Sequence, residues 1–171
     1  MLSEDQAEFC IRSFRNALNA HIGAGKNPNG RNACVLNITR HDGTELFLYA
    51  YSSARSLSAG EHANLAAAGF PLVPDVSPAL RVYACGGMGQ YHTEPRLINF
   101  LYASPGYIEN VKTALIISEI DCCTTCMRYT IDLFVRANPN VNVFTDEYGK
   151  VPGRNQRPRF VYQGPAPLTW S

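Results

Sequence analysis

The chain has no apolar run approaching the roughly 20 residues that a helix needs to cross a bilayer. Its opening residues, Met1-Leu2-Ser3-Glu4-Asp5-Gln6, lack both the basic start and the apolar centre of a secretory signal. Neither a signal peptide nor a membrane span is therefore expected, although delivery by a dedicated secretion machine would leave no such mark. An excess of either charge is lacking as well, with 15 basic and 14 acidic residues. With a net charge of +1, an evenly spread surface would not bind nucleic acid strongly. The spread is uneven, because acidic residues are missing from Tyr148 to Ser171. There Lys150, Arg154, Arg157 and Arg159 give +4 and leave −3 for the remainder. Such a strip suits phosphate contacts, and suits a solvated tail equally well.

An apolar content of 46% against 17% charged places the 171 residues among folded proteins. That length fills one core and is short for two, so residues 1–171 are expected to form a single domain. The six cysteines do not read as a disulfide framework. Cys10 and Cys34 fall in apolar-periodic segments, Cys85 precedes Gly86-Gly87, and Cys122, Cys123 and Cys126 crowd within five positions. Clustering with an upstream histidine is the arrangement a metal requires, and a reducing cytosol is the expected setting.

Ser3 through Gln6 matches a capping box, after which Ala7, Cys10, Ile11, Phe14, Ala17 and Leu18 recur at helical spacing, predicting a helix over 4–21. Two β-rich runs, from Cys34 and from Thr44, flank His41-Asp42-Gly43 and predict a hairpin. Ser58 to Glu61 caps a short helix that Gly69 ends, Pro71, Pro74 and Pro78 mark loop, and Leu80 to Cys85 is β-like. A helix follows from Thr93 to about Tyr102, with His92 and Glu94 at its first turn. Ala114-Leu115-Ile116-Ile117 reads as a strand buried on both faces, Thr124 to Ala137 as a helix, and Val141 to Phe144 and Phe160 to Tyr162 as strands. The order predicts a three-layer α/β/α domain with a mixed five-stranded sheet. Its crossovers should make the middle parallel, and the last strand, with no crossover helix before it, should run antiparallel to the fourth.

Chemistry concentrates in two stretches. His92-x-Glu94 and Cys123-x-x-Cys126 lie 28 residues apart, each at a helix start, with the buried strand between them. Zinc favours imidazole and thiolate, and a catalytic site keeps three protein ligands and one exchangeable position. Helix N-termini favour thiolate and hydroxide. His92, Cys123 and Cys126 are the expected ligands, and Glu94, on the same first turn as His92, is placed to move protons. A structural zinc site competes with this reading but wants a fourth protein ligand. Cys122 would serve only if adjacent cysteines both faced the metal, which a helix start disfavours. His21, His41 and His62 show no partner pattern.

H-x-E with P-C-x-x-C is the signature of zinc nucleobase deaminases. The chain resembles the cytidine deaminase-like superfamily, and more narrowly the deaminase domains at the C-termini of bacterial polymorphic toxins. The narrower likeness rests on Thr93-Glu94-Pro95-Arg96-Leu97-Ile98, on Ser118 to Cys126, on Asn138-Pro139-Asn140-Val141 and on the missing helix before the last strand. It covers about residues 32–163. One departure is Cys122, where the family has a proline that shapes the turn into the ligand helix.

The resemblance implies a cytidine deaminase-like fold with Zn2+ on His92, Cys123 and Cys126, and with Glu94 as proton shuttle. It also implies hydrolytic conversion of cytosine to uracil in DNA by an interbacterial toxin domain that acts in a target cell's cytoplasm, opposed by a cognate immunity protein. Single-stranded DNA is the expected substrate, because flipping a base from a duplex costs a few kcal/mol and no wedge is evident. RNA or free cytidine is the alternative, and a non-catalytic zinc module that binds a partner is a second. Tyr91 is the candidate for stacking, Ser118 for the pyrimidine edge and Asn37 for the sugar. Arg154, Arg157 and Arg159, with Tyr148 and Tyr162, are candidates for one wall of a strand-binding groove.

Overall fold

The computed structural model describes residues 1–23, 25, 31–83, 91–120, 122–149 and 157–162, without the side chains of 157, 158 and 160. Its first helix, α1 (Glu4–His21), begins at the expected capping box, in which Ser3 and Gln6 exchange bonds of 2.9 and 3.3 Å. Ala7, Ile11, Phe14, Ala17 and Leu18 form its buried stripe. A hairpin of β1 (Ala33–Arg40) and β2 (Glu45–Tyr51) follows, turning at Gly43 with φ +86°. The second capping box, Ser58 with Glu61, starts α2 (Ala59–Ala67), and Gly69 at φ +94° ends it.

Then come α3 (Thr93–Ala103), a single turn α4 (Pro105–Ile108) that the pattern had not indicated, and β3 (Val111–Ser118). The ligand helix opens as α5 (Thr124–Cys126), widens into π geometry over Met127–Asp132 and closes as α6 (Leu133–Ala137). β4 (Asn142–Glu147) and β5 (Arg157–Tyr162) complete the sheet.

The strand order is β2-β1-β3-β4-β5. β3 and β4 pair in parallel and β5 is antiparallel to β4, as expected. The parallel middle is narrower than the crossovers suggested. The tight hairpin keeps β1 beside β2, so the connection from β2 passes over β1, and β1 meets β3 antiparallel. Helices cover both faces. Leu36, Ile38, Ala114, Ile116 and Val143 pack with Leu97, Ile98 and Leu101 of α3 and with Ile131 and Phe134 of the ligand helix. On the other face, Val35, Leu115 and Ile117 meet Ile11, Phe14 and Leu18 of α1 and Leu65 of α2. Burying each such side chain contributes about 1.5–3 kcal/mol, which makes these two layers the main stabilising term.

The expected β-like run from Leu80 is not a strand where it is described. Pro78 starts a 3-10 turn, Pro78–Leu80, and the Tyr83 N–H that a ladder would need donates to Asn99 Oδ1 at 2.8 Å. Ala84 and Cys85, its last two residues, lie outside the described residues. The insert before α3 thus becomes a brace for that helix. Asp75 also holds the buried Arg96 at 2.5 Å, and the Asn99 side chain donates to Pro95 O at 2.8 Å.

Candidate metal centre

His92 and Cys123 occupy equivalent places. Each is the N-cap of its helix, with extended backbone at φ −63°, ψ 156° and φ −66°, ψ 151°. The Cys123 Sγ accepts the Cys126 backbone N–H at 3.3 Å, so the cap itself turns both sulfurs to one side. His92 Nδ1 lies 3.3 Å from Cys126 Sγ and 3.7 Å from Cys123 Sγ, and the sulfurs are 3.2 Å apart. Tetrahedral zinc bonds place ligand atoms about 3.8 Å apart between sulfurs and about 3.5 Å between sulfur and nitrogen. The nitrogen–sulfur edges already match, and the sulfur pair would open by about 0.6 Å. That pair is not a disulfide, since both cysteines are free. The group can hold a metal ion.

The donor chemistry agrees with this geometry. The hydrogen bond that the Cys126 thiol donates to Cys122, together with burial and the Glu94 charge, pushes the Cys126 thiol far up. The Cys122 thiol is drawn down by Cys126, but burial and the charges of Glu94, Cys123 and Glu147 outweigh that and hold it at about 12. A cation is what lets such crowded thiols ionise. Cys122 does not belong to the ligand group, so among the described residues three protein ligands converge. Three are the number a catalytic zinc keeps, and a structural site wants four. The Cys122 N–H donates to Glu147 Oε1 at 2.8 Å, a bond no proline could make. A carboxylate thus holds the turn that leads into Cys123.

Glu94 is 3% exposed. Burial raises its carboxyl above the ordinary value, opposed by hydrogen bonds that include Thr93 Oγ1 donating at 3.0 Å. A cavity of about 230 Å³ opens beside it, lined by His92, Thr93, Glu94 and Cys123 and by Arg31, Asn32, Ser52 and Ile120. Asn32 is the residue that sequence reasoning missed. Its Nδ2 donates to Thr93 Oγ1 at 2.8 Å and to Ser118 Oγ at 2.9 Å, and its Oδ1 accepts the Ile120 N–H at 3.1 Å. It fastens the start of β1 to both ligand-bearing segments. The pairing of Cys34 with Ser118 is what brings it there.

The weaker candidates fare differently. Ser118 is 1% exposed and bonds Asn32 and Ile120 O, so it stands behind the cavity wall and holds Asn32. Asn37 pairs with Phe47 and Leu115, which belong to the α1 face, while the ligand helices pack on the other. It is fully buried away from the cavity, and among the described residues neither of its side-chain polar atoms finds a partner. Tyr91 lies outside the cavity, under Arg55 with the guanidinium 4.6 Å from the ring centre. Arg159 is committed elsewhere: it forks onto the buried Asp146 at 2.6 and 2.8 Å and donates to Leu2 O at 3.0 Å. Tyr148 and Tyr162 are likewise buried. Arg154 and the side chain of Arg157 lie outside the described residues.

Comparison with protein-family models, with curated proteins and with solved structures finds no match.

Proposed function

We propose that this chain is a zinc-dependent hydrolytic deaminase that converts cytosine to uracil in DNA, with single-stranded DNA as substrate. The observation that carries the reading is the buried carboxyl of Glu94 at the wall of a cavity whose mouth also holds two of three convergent soft ligands. A bound zinc supplies a Lewis acid that lowers the pKa of a coordinated water into the neutral range. Glu94 is the group that would take one proton from the attacking water and deliver it to the pyrimidine N3, then take the remaining proton from the hydroxyl now on C4 and deliver it to the departing amine, so that cytosine and water become uracil and ammonia. Its raised pKa suits both directions of transfer. Thr93 fixes one carboxylate oxygen, and Asn32 fixes Thr93. The sequence resemblance supports a cytidine deaminase-like fold, and the role of toxin domain with an immunity protein as partner.

Glu94→Ala tests the proposal. The variant should retain zinc and lose uracil formation by at least 100-fold on single-stranded DNA, as expected when a general acid–base is removed. Wild-type protein that forms no uracil from single-stranded DNA, duplex DNA, RNA or cytidine would refute it.

A further inference from the structure

Tyr91 directly precedes the ligand His92, and Ser52, which lines the cavity, stands three residues before Arg55. The two segments meet beyond the cavity mouth. Arg55 lies 4.6 Å and Arg81 5.9 Å from the centre of the Tyr91 ring. Arg96, beneath them, takes Asp75 at 2.5 Å, and Arg55 reaches the same carboxylate only at 3.8 Å. Among the described residues one carboxylate, Asp75, pairs with two of these three guanidiniums, while the Arg81 Nε–H donates to Val76 O at 3.0 Å. The Arg55 side chain is 59% exposed. Two adjoining hollows flank the cluster and share Pro74, Asp75 and Arg96. The exposed Arg31 also lines the catalytic cavity, next to Asn32, whose backbone N–H donates to Ser52 Oγ at 3.0 Å.

We infer that Arg55, Tyr91 and Arg81 form the phosphate-binding track for the strand that flanks the target base, with Arg31 continuing it at the cavity. The inference rests on the deaminase reading for what enters the cavity. Guanidiniums held on an aromatic face present planar donor forks to phosphate, and cations interleaved with aromatic rings are the pattern of single-strand grooves. This track differs from the C-terminal basic strip, whose Arg159 is spent on Asp146.

The test is the binding of a fluorescein-labelled oligodeoxynucleotide containing one cytosine, followed by anisotropy across a salt series, with uracil formation read separately. Arg55→Ala/Arg81→Ala should weaken binding at least tenfold and flatten the dependence of log Kd on log salt by about 1.4, that is, about 0.7 for each phosphate no longer neutralised. Arg55→Lys/Arg81→Lys should restore much of the slope. Lys112→Ala, at an exposed site on the far end of β3, should change neither. Unaltered zinc content and thermal unfolding show that the variants are folded.

Wild-type affinity in the double alanine variant, an equal loss in Lys112→Ala, or equal Arg-dependent binding of a polyglutamate peptide would each overturn the inference. Failure of the deaminase reading looks different: the strand binds in an arginine-dependent way and no uracil forms.

Discussion

Two hollows, one at each end of the sheet, are opposites. At the end where β3 and β4 start, a hollow of about 380 Å³ is lined by His41, Ile108, Asn110, Val111, Asn138 and Val141. At the end where those strands finish, the cavity is smaller, about 230 Å³. Size ranks them one way and chemistry the other. Two of the turn residues that bound the larger hollow have polar groups already engaged: Asn138 donates to Phe134 O at 2.8 Å, and Asn110 O accepts from His41 N at 3.0 Å. Around the smaller one, two helix N-termini bring together an imidazole, a thiol and a buried carboxyl, with the second thiol 3.2 Å from the first and the amide of Asn32 holding Thr93 beside them. Convergence of unlike donors, which must be held there against desolvation, marks a site better than volume does.

The largest test of that contrast removes a ligand. Cys126→Ser should reduce bound zinc to background by mass spectrometry and abolish uracil formation, and so should stripping wild-type protein with a chelator. Zinc retained in the variant would mean that the triangle of His92, Cys123 and Cys126 is not the centre, and the two ends would no longer differ in kind.

Next in size is the support beneath the site. Arg15 of α1 forks onto Glu119, whose side chain is fully buried just after β3, and also donates to Arg31 O at 3.0 Å. Arg15→Ala leaves that carboxylate buried without its guanidinium and should cost about 3–5 kcal/mol in urea unfolding. A loss below about 1 kcal/mol would show that water replaces the arginine and that this end is not braced from the α1 face.

A smaller effect is expected at Glu147, which receives the Cys122 N–H. Glu147→Ala frees the turn that presents Cys123 and should weaken zinc affinity about 10–100-fold, the usual consequence of losing a group that orients a ligand. Unchanged affinity in a competition titration would mean that the cap bond from Cys126 N to Cys123 Sγ holds the turn alone.

Local pattern carried much of this into view. The capping boxes at Ser3 and Ser58, the stripe of α1 and the turn at Gly43 are all decided by neighbours within a few residues, so their spacing predicts them. His92, Glu94, Cys123 and Cys126 are legible because two short motifs each open a helix. Asn32 is not, because its place depends on strand register: it meets Ser118 across 86 residues of chain. Arg159 reads as a free cation until the pairing of β4 with β5 sets it against Asp146. Asn37 has the alternation of a strand residue, but the face it takes is settled only by which helix covers that side. The π stretch after Cys126 is hidden for a similar reason, since apolar residues at Met127, Ile131 and Phe134 satisfy an ordinary helical period equally well.

The smallest expected effect is at the larger hollow. Asn140, exposed on the turn into β4, lines it without a described side-chain bond. Asn140→Ala should shift unfolding free energy by less than about 0.5 kcal/mol and leave uracil formation unchanged, as for a surface position with no packing or capping role. The measurement matters because its outcome is asymmetric. No change is what an unfilled gap between a helix end and two strand starts should give. A variant that stayed as stable as wild type yet lost activity, by contrast, would show that the far hollow takes part in substrate engagement, and convergence of donors would then no longer suffice to locate function in this fold.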